Sequence, residues 1–151
     1  MNIECYLRNQ LRSEQWNHVL FCMAREMESH LDSNSLQGLM YKAGARMADG
    51  FPVEGKDSLD AVEVVLNDIW ESCKWGWVRL SDQGNCIRIE HAFSPLDEAF
   101  GESADGWSVQ LLCGFYDSVF RQLGAGDDLR LRRITGGSAN RDVLLFELQT
   151  S

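Results

Sequence analysis

Apolar positions along this chain follow two rhythms. From Trp16 through Val19, Leu20, Met23 and Met27 to Leu31 they recur every three or four residues, predicting a helix that opens at Ser13. Phe21 and Cys22 widen its stripe, as expected of a helix buried on more than one side. The period returns in Leu36, Leu39, Met40, Ala43 and Met47, capped by Ser33 or Asn34 and stopped by Gly50 and Pro52. A third helix starts at Asp57 or Ser58 and carries Leu59, Val62, Val65 or Leu66, Ile69 and Cys73, with Trp70 beside the stripe. The fourth starts at Asp105 or Gly106 and runs through Trp107, Leu111, Leu112, Phe115, Tyr116, Val119, Phe120 and Leu123. Gly114 in its middle costs about 1 kcal/mol relative to Ala, and close packing against a sheet is expected to offset that. Residues 94–105 read as a long polar loop.

The second rhythm is strict alternation. Residues 77–80 and 86–90 alternate apolar and charged side chains around Asp82, Gly84 and Asn85, the pattern of a β-hairpin. Residues 128–134 and 143–148 repeat it around Gly136 and Gly137. The order is three helices, hairpin, helix, hairpin, which makes the fold class α+β: a four-stranded antiparallel sheet covered by helices. One domain spans 1–151, with an N-terminal segment 1–12, a helical part 13–74 and a hairpin–helix–hairpin part 75–151. The small residues at 43–48 invite a helix crossing, within or between subunits.

Composition narrows the partners. The chain has 44% apolar residues and a net charge of −9, ordinary for a globular protein and wrong for one that neutralises phosphates. No nucleic-acid partner and no direct membrane insertion are expected. Residues 1–12 carry charges and no continuous apolar run, so neither a secretory signal nor an anchor is expected there. Five scattered cysteines without a C-x-x-C pair read as free thiols, and hence as a cytoplasmic protein.

Catalytic chemistry does not emerge. His18, His30 and His91 are expected in different elements and read as solvated or core-satisfied, with no metal-ligand spacing around them. The carboxylate pairs Asp97 with Glu98, Glu102 with Asp105, and Asp127 with Asp128 are expected in polar loops where both members ionise, unlike the acid–base pair of a glycosidase. Trp16, Trp70 and Trp107 read as core. Trp75 and Trp77 straddle Gly76 and are expected to lock the third helix onto the sheet. No enzyme, cofactor or metal site is expected.

Three stretches carry a resemblance: W-G-W-V-R-L at 75–80; G-W-S-V-Q-L-L-C-G-F-Y-D-S-V-F at 106–120, with Gly124 and Gly126 after it; and Gly44 to Met47 with Pro52 beyond. In order and spacing they resemble the family of the cellulose synthase D subunit, an accessory protein of bacterial cellulose secretion. The resemblance implies a non-catalytic scaffold that forms a ring-like homo-octamer, a tetramer of dimers. It also implies association with the inner-membrane cellulose synthase complex and other cellulose-operon accessory proteins, and a β-1,4-glucan chain passing through channels between protomers. Carried onto this sequence, the channel candidates are Asn2, Glu4, Tyr6, Arg8, Asn9 and Gln10. The resemblance leaves open which side of the membrane it serves. The cysteines favour the cytoplasm, with the periplasm second.

The apolar stripes are too many for one small domain to hide, which implies an oligomer. Candidate interface residues are Trp16, Leu20, Met23, Met27, Gly44 and Met47. Two rival readings fit the same composition: an acidic, dimeric secretion chaperone, and a sensor domain with a ligand cavity under the fourth helix.

Overall fold

A computed structural model describes residues 3–53, 55–135 and 142–150, with side chains from residue 16 onward. In chain order the elements are α1 (Ile3–His30), α2 (Ser33–Asp49), α3 (Leu59–Cys73), β1 (Trp77–Asp82) and β2 (Cys86–Ala92). After them come α4 (Leu96–Phe100), a 3-10 turn (Glu102–Ala104), α5 (Asp105–Ser108), α6 (Gln110–Gln122), β3 (Leu129–Ile134) and β4 (Val143–Thr150). The strands form one antiparallel sheet in the order β1-β2-β4-β3. This is the α+β fold that the two rhythms predict.

Local chemistry explains the boundaries, including those that differ from expectation. The first helix begins at Ile3 rather than Ser13, because no glycine or proline interrupts the chain between them. Asp32, not Ser33 or Asn34, caps α2: its carboxylate accepts from the Ser35 amide at 2.7 Å. Ser58 caps α3 through the Ala61 amide, and Lys74 closes it in a left-handed conformation. Residues 94–105 are not an open loop. Leu96 and Ala104 are buried there, and burying them winds the segment into α4 and the 3-10 turn. The fourth predicted helix is split at Val109 into α5 and α6.

The centre of the fold is the crossing of α2 over α6. A methyl group built on Gly44 would lie 1.8 Å from the Leu111 carbonyl oxygen, and one on Gly114 would lie 1.9 Å from that of Tyr41. The two backbones therefore touch, and only glycine fits on either side. Gly114 packs against α2 and not, as expected, against the sheet, and residues 43–48 make their crossing within the chain.

The remaining faces of α6 carry Phe115, Tyr116, Val119 and Phe120 into the main core. There Trp70 lies 4.6 Å from Phe115 and 5.7 Å from Trp75, centroid to centroid, while Tyr116 lies 5.8 Å from Phe146 of β4. These rings fill the space between α6 and the sheet. Trp75 thus joins α3 to the sheet as expected. Trp77 does not: it stands exposed.

Alternation along the strands separates two sheet faces. Val78, Leu80, Ile89, His91, Phe146 and Leu148 point into the core, and their neighbours point away from it. The outer edge of β1 is closed by side chains of α3. Asn67 donates to the Val78 carbonyl at 2.9 Å and accepts from the Val78 amide at 2.8 Å, and Glu63 accepts from the Leu80 amide at 2.7 Å. An amide and a carboxylate here stand in for a fifth strand, which removes one of the two free sheet edges.

The crossing generates a direct test. Gly114→Ala should cost about 3 kcal/mol by urea denaturation, since backbone on both helices must move. Gly38→Ala, on the open side of α2 with nothing within 4 Å, should be neutral or stabilise by about 1 kcal/mol. Equal effects at the two positions would rule out the backbone contact.

Candidate functional site

Helix α1 is about 42 Å long at 1.5 Å per residue, and among its described side chains those of its C-terminal part seat it on the domain. Ala24 is fully buried beside Leu36, Met40, Ala104 and Trp107, with Met27 packed against them. Polar side chains clamp this seat. The Arg25 guanidinium donates to the Phe100 carbonyl at 2.8 Å and to the Ser103 hydroxyl at 2.7 Å, and Glu28 accepts from the Trp107 indole at 3.0 Å. Arg25 and Glu28 also pair at 3.1 Å. Nothing in the linear pattern marks this clamp, because its partners lie far along the chain.

The opposite side of α1 is apolar and open. Trp16 is 60% exposed and Met23 53%, with Val19 also exposed, whereas Phe21 packs on the seat side beside Gly101 and under the Arg25 guanidinium. Val19, Cys22, Met23 and Met27 line a shallow, almost wholly apolar groove with His18 and Glu26 at its rim. Trp16, expected in the core, therefore lies on the surface, and the widened stripe of α1 is not buried on several sides. Exposed aromatic and thioether side chains clustered on one helix face are the usual sign of a surface that another protein covers.

The structure sorts the remaining candidates. Leu20 and Met27 are half-buried on α1, beside the open face. Gly44 is buried in the α2–α6 crossing, and Met47 packs half-buried against the main core. Glu4, Tyr6, Arg8, Asn9 and Gln10 fall on the backbone of α1 rather than on a separate segment, and their side chains lie outside the described residues, as does Asn2 altogether.

The groups with catalytic potential are engaged structurally. His91 is fully buried; its Nε2–H donates to the Trp75 carbonyl at 2.7 Å, which leaves Nδ1 to accept from the Tyr116 hydroxyl at 2.5 Å. Burial lowers its pKa from 6.5 to about 4, only partly opposed by the hydrogen bond to Trp75. Burial likewise holds the Tyr116 hydroxyl well above 10. Tyr41 donates to Asp117, and its pKa is raised to about 12, first by burial and then by that carboxylate. Asp117 also binds Arg121 at 3.1 Å. Asp105 takes both arms of the Arg133 guanidinium at 2.8 and 3.0 Å, and Asp127 pairs with Arg121 at 3.2 Å.

The histidines depart from expectation: His18 and His30 share α1, which forms one continuous helix, rather than lying in different elements. His18 and Cys22 stand four apart on α1, with Nε2 and Sγ at 3.8 Å, so a potential ligand pair does share one helix face. The pair goes no further: among the described residues, no three His, Cys, Asp or Glu side chains gather as a metal site would require. Nor is any described helix long and apolar enough to cross a membrane.

A family model for the D subunit of cellulose synthase matches residues 2–146. No curated protein matches the chain.

The buried histidine makes stability depend on pH. The unfolded chain binds a proton on His91 between pH 6.5 and about 4 that the folded chain refuses, so stability falls as pH is lowered through that window. The loss attributable to His91 should reach about 3 kcal/mol. Urea titrations at several pH values should show a flatter profile for His91→Gln than for the parent chain; parallel profiles would remove the assignment. For the clamp, Arg25→Ala should lower amide-exchange protection in residues 20–30 at least tenfold while leaving α6 unchanged.

Proposed function

The chain belongs to the cellulose synthase D-subunit family, and on that premise we propose that it is a non-catalytic scaffold that assembles with copies of itself and orders nascent β-1,4-glucan during export. Its accessory role in cellulose synthesis, in association with the synthase complex, comes with the family. The finer reading is an octameric ring, a tetramer of dimers, with glucan passing between protomers along residues 2–10 of the N-terminal helix. We place it at the cytoplasmic side of the inner-membrane synthase complex. The described free thiols Cys22, Cys73, Cys86 and Cys113 suit a reducing compartment.

The single observation that carries self-assembly is the open apolar face of α1. Leaving Trp16, Val19 and Met23 in water forfeits on the order of 1.5–3 kcal/mol per large side chain relative to burial. A second copy presenting the same face recovers that through an isologous, two-fold contact.

Mass measurement by analytical ultracentrifugation tests the reading. The parent chain should sediment as a particle of about eight times its 17.1 kDa mass. Met23→Glu places a charge in the apolar face without disturbing the folded chain, because Met23 is exposed within it. That variant should retain its melting temperature, form smaller particles and lower cellulose yield in cells. A monomeric parent chain, or unchanged cellulose yield and crystallinity after deletion of the gene, would sink the proposal.

A further inference from the structure

Two side chains that ligate transition metals stand together on the open face of α1. His18 and Cys22 are both exposed, with Nε2 and Sγ at 3.8 Å. A tetrahedral zinc ion bound to both, about 2.0 Å from nitrogen and about 2.3 Å from sulfur, sets those atoms about 3.6 Å apart. The helix therefore presents half of a tetrahedral site at close to the required spacing, with no change of backbone. One turn further on, Glu26 and His30 stand 3.5 Å apart, but they are 76% and 75% exposed and form an ion pair in water. His18 and Cys22 differ in their surroundings. They line the shallow groove whose walls, with Val19, Met23 and Met27, are almost wholly apolar. Two ligands do not hold zinc, and among the described residues of one chain no further side chain completes the set. A second copy supplies what is missing. An isologous contact repeats every residue across its axis, so an axis crossing α1 near residues 18–22 turns the pair to face its own equal.

We propose that two paired α1 faces hold one zinc ion, ligated by His18 and Cys22 of each copy. The charge balance suits the place. Each thiol releases its proton to solvent as it binds, so two thiolates neutralise Zn2+ while the two imidazoles stay neutral. The completed site carries no net charge, and an apolar groove accommodates it at far lower cost than a bare ion or an unpaired carboxylate. The same apolar walls keep competing water from the metal. A donor set of two sulfurs and two nitrogens also selects the ion, since magnesium and calcium demand oxygen ligands. Cys22 thereby gains a role that packing does not give it, because it is exposed in the single chain. This inference rests on the α1 self-assembly reading and adds to it a metal that ties the two copies together.

Metal titration of the untagged full chain, first stripped with a chelator, decides it. Co2+ should give the visible bands of a tetrahedral site and a thiolate-to-cobalt charge-transfer band, both saturating at one ion per two chains. Zn2+ should displace the cobalt, and its binding to the stripped chain at neutral pH should release about two protons per ion. Cys22→Ser should abolish the charge-transfer band and weaken zinc binding about a hundredfold or more, and His18→Ala should weaken it comparably. Both positions are exposed, so neither change should move the melting temperature of the metal-free chain. Met23→Glu, which parts the copies, should lose the site although both ligands remain. A charge-transfer band that survives Cys22→Ser overturns the inference, as does saturation at one ion per chain that Met23→Glu leaves intact. Particles that Met23→Glu breaks, but that bind zinc no more tightly than the Cys22→Ser variant does, overturn it while leaving the self-assembly reading in place. A chain that is monomeric with and without zinc overturns both.

Discussion

The structure depends on one steric constraint: two helix backbones in contact at Gly44 and Gly114. With no side chain between them, α2 and α6 approach so closely that each glycine touches the other helix's carbonyl. That contact fixes the height of α6 above the sheet. It thereby fixes how deeply Phe115, Tyr116 and Val119 reach toward Trp70 and Phe146. The roughly 1 kcal/mol that each helical glycine costs in propensity is small beside the aromatic core it lets form. His91 belongs to that core as a neutral, twice hydrogen-bonded bridge between Trp75 and Tyr116, and its lowered pKa is a consequence of the packing rather than a catalytic device.

A core closed this tightly leaves function to the surface. The chain finishes its own edges selectively: α3 caps β1 through Asn67 and Glu63, and Arg25 and Glu28 bind α1 to α4 and α5. The places it leaves unfinished are therefore informative. They are the outward face of α1 and the outward face of the sheet, each holding exposed aromatic side chains. For an accessory protein of cellulose synthesis, surfaces of this kind are where contacts with other molecules are expected.

Much of this was legible in the linear pattern, because periods of 3.6 and 2.0 residues report directly which side of an element meets a core. Four helical stretches, two hairpins and the α+β class follow from it, and the motifs at 75–80 and 106–120 carried the family. Boundaries were less legible. The helical turns at 94–105 depend on burial supplied from elsewhere in the chain, and the Asp32 cap on a competition between adjacent hydrogen-bonding side chains.

What the sequence determined by itself was the kind of each element and the surplus of apolar stripes, since both are properties of local spacing. Which stripes remained open was decided only by tertiary structure. Trp16, Trp70 and Trp77 all read as packing residues; folding buries Trp70 completely and leaves the other two in water. Gly44, read as a candidate for contact between subunits, is consumed inside the chain. The physical reason is the same in each case. Burial is a relation between residues distant in sequence, and no local period encodes which partner arrives.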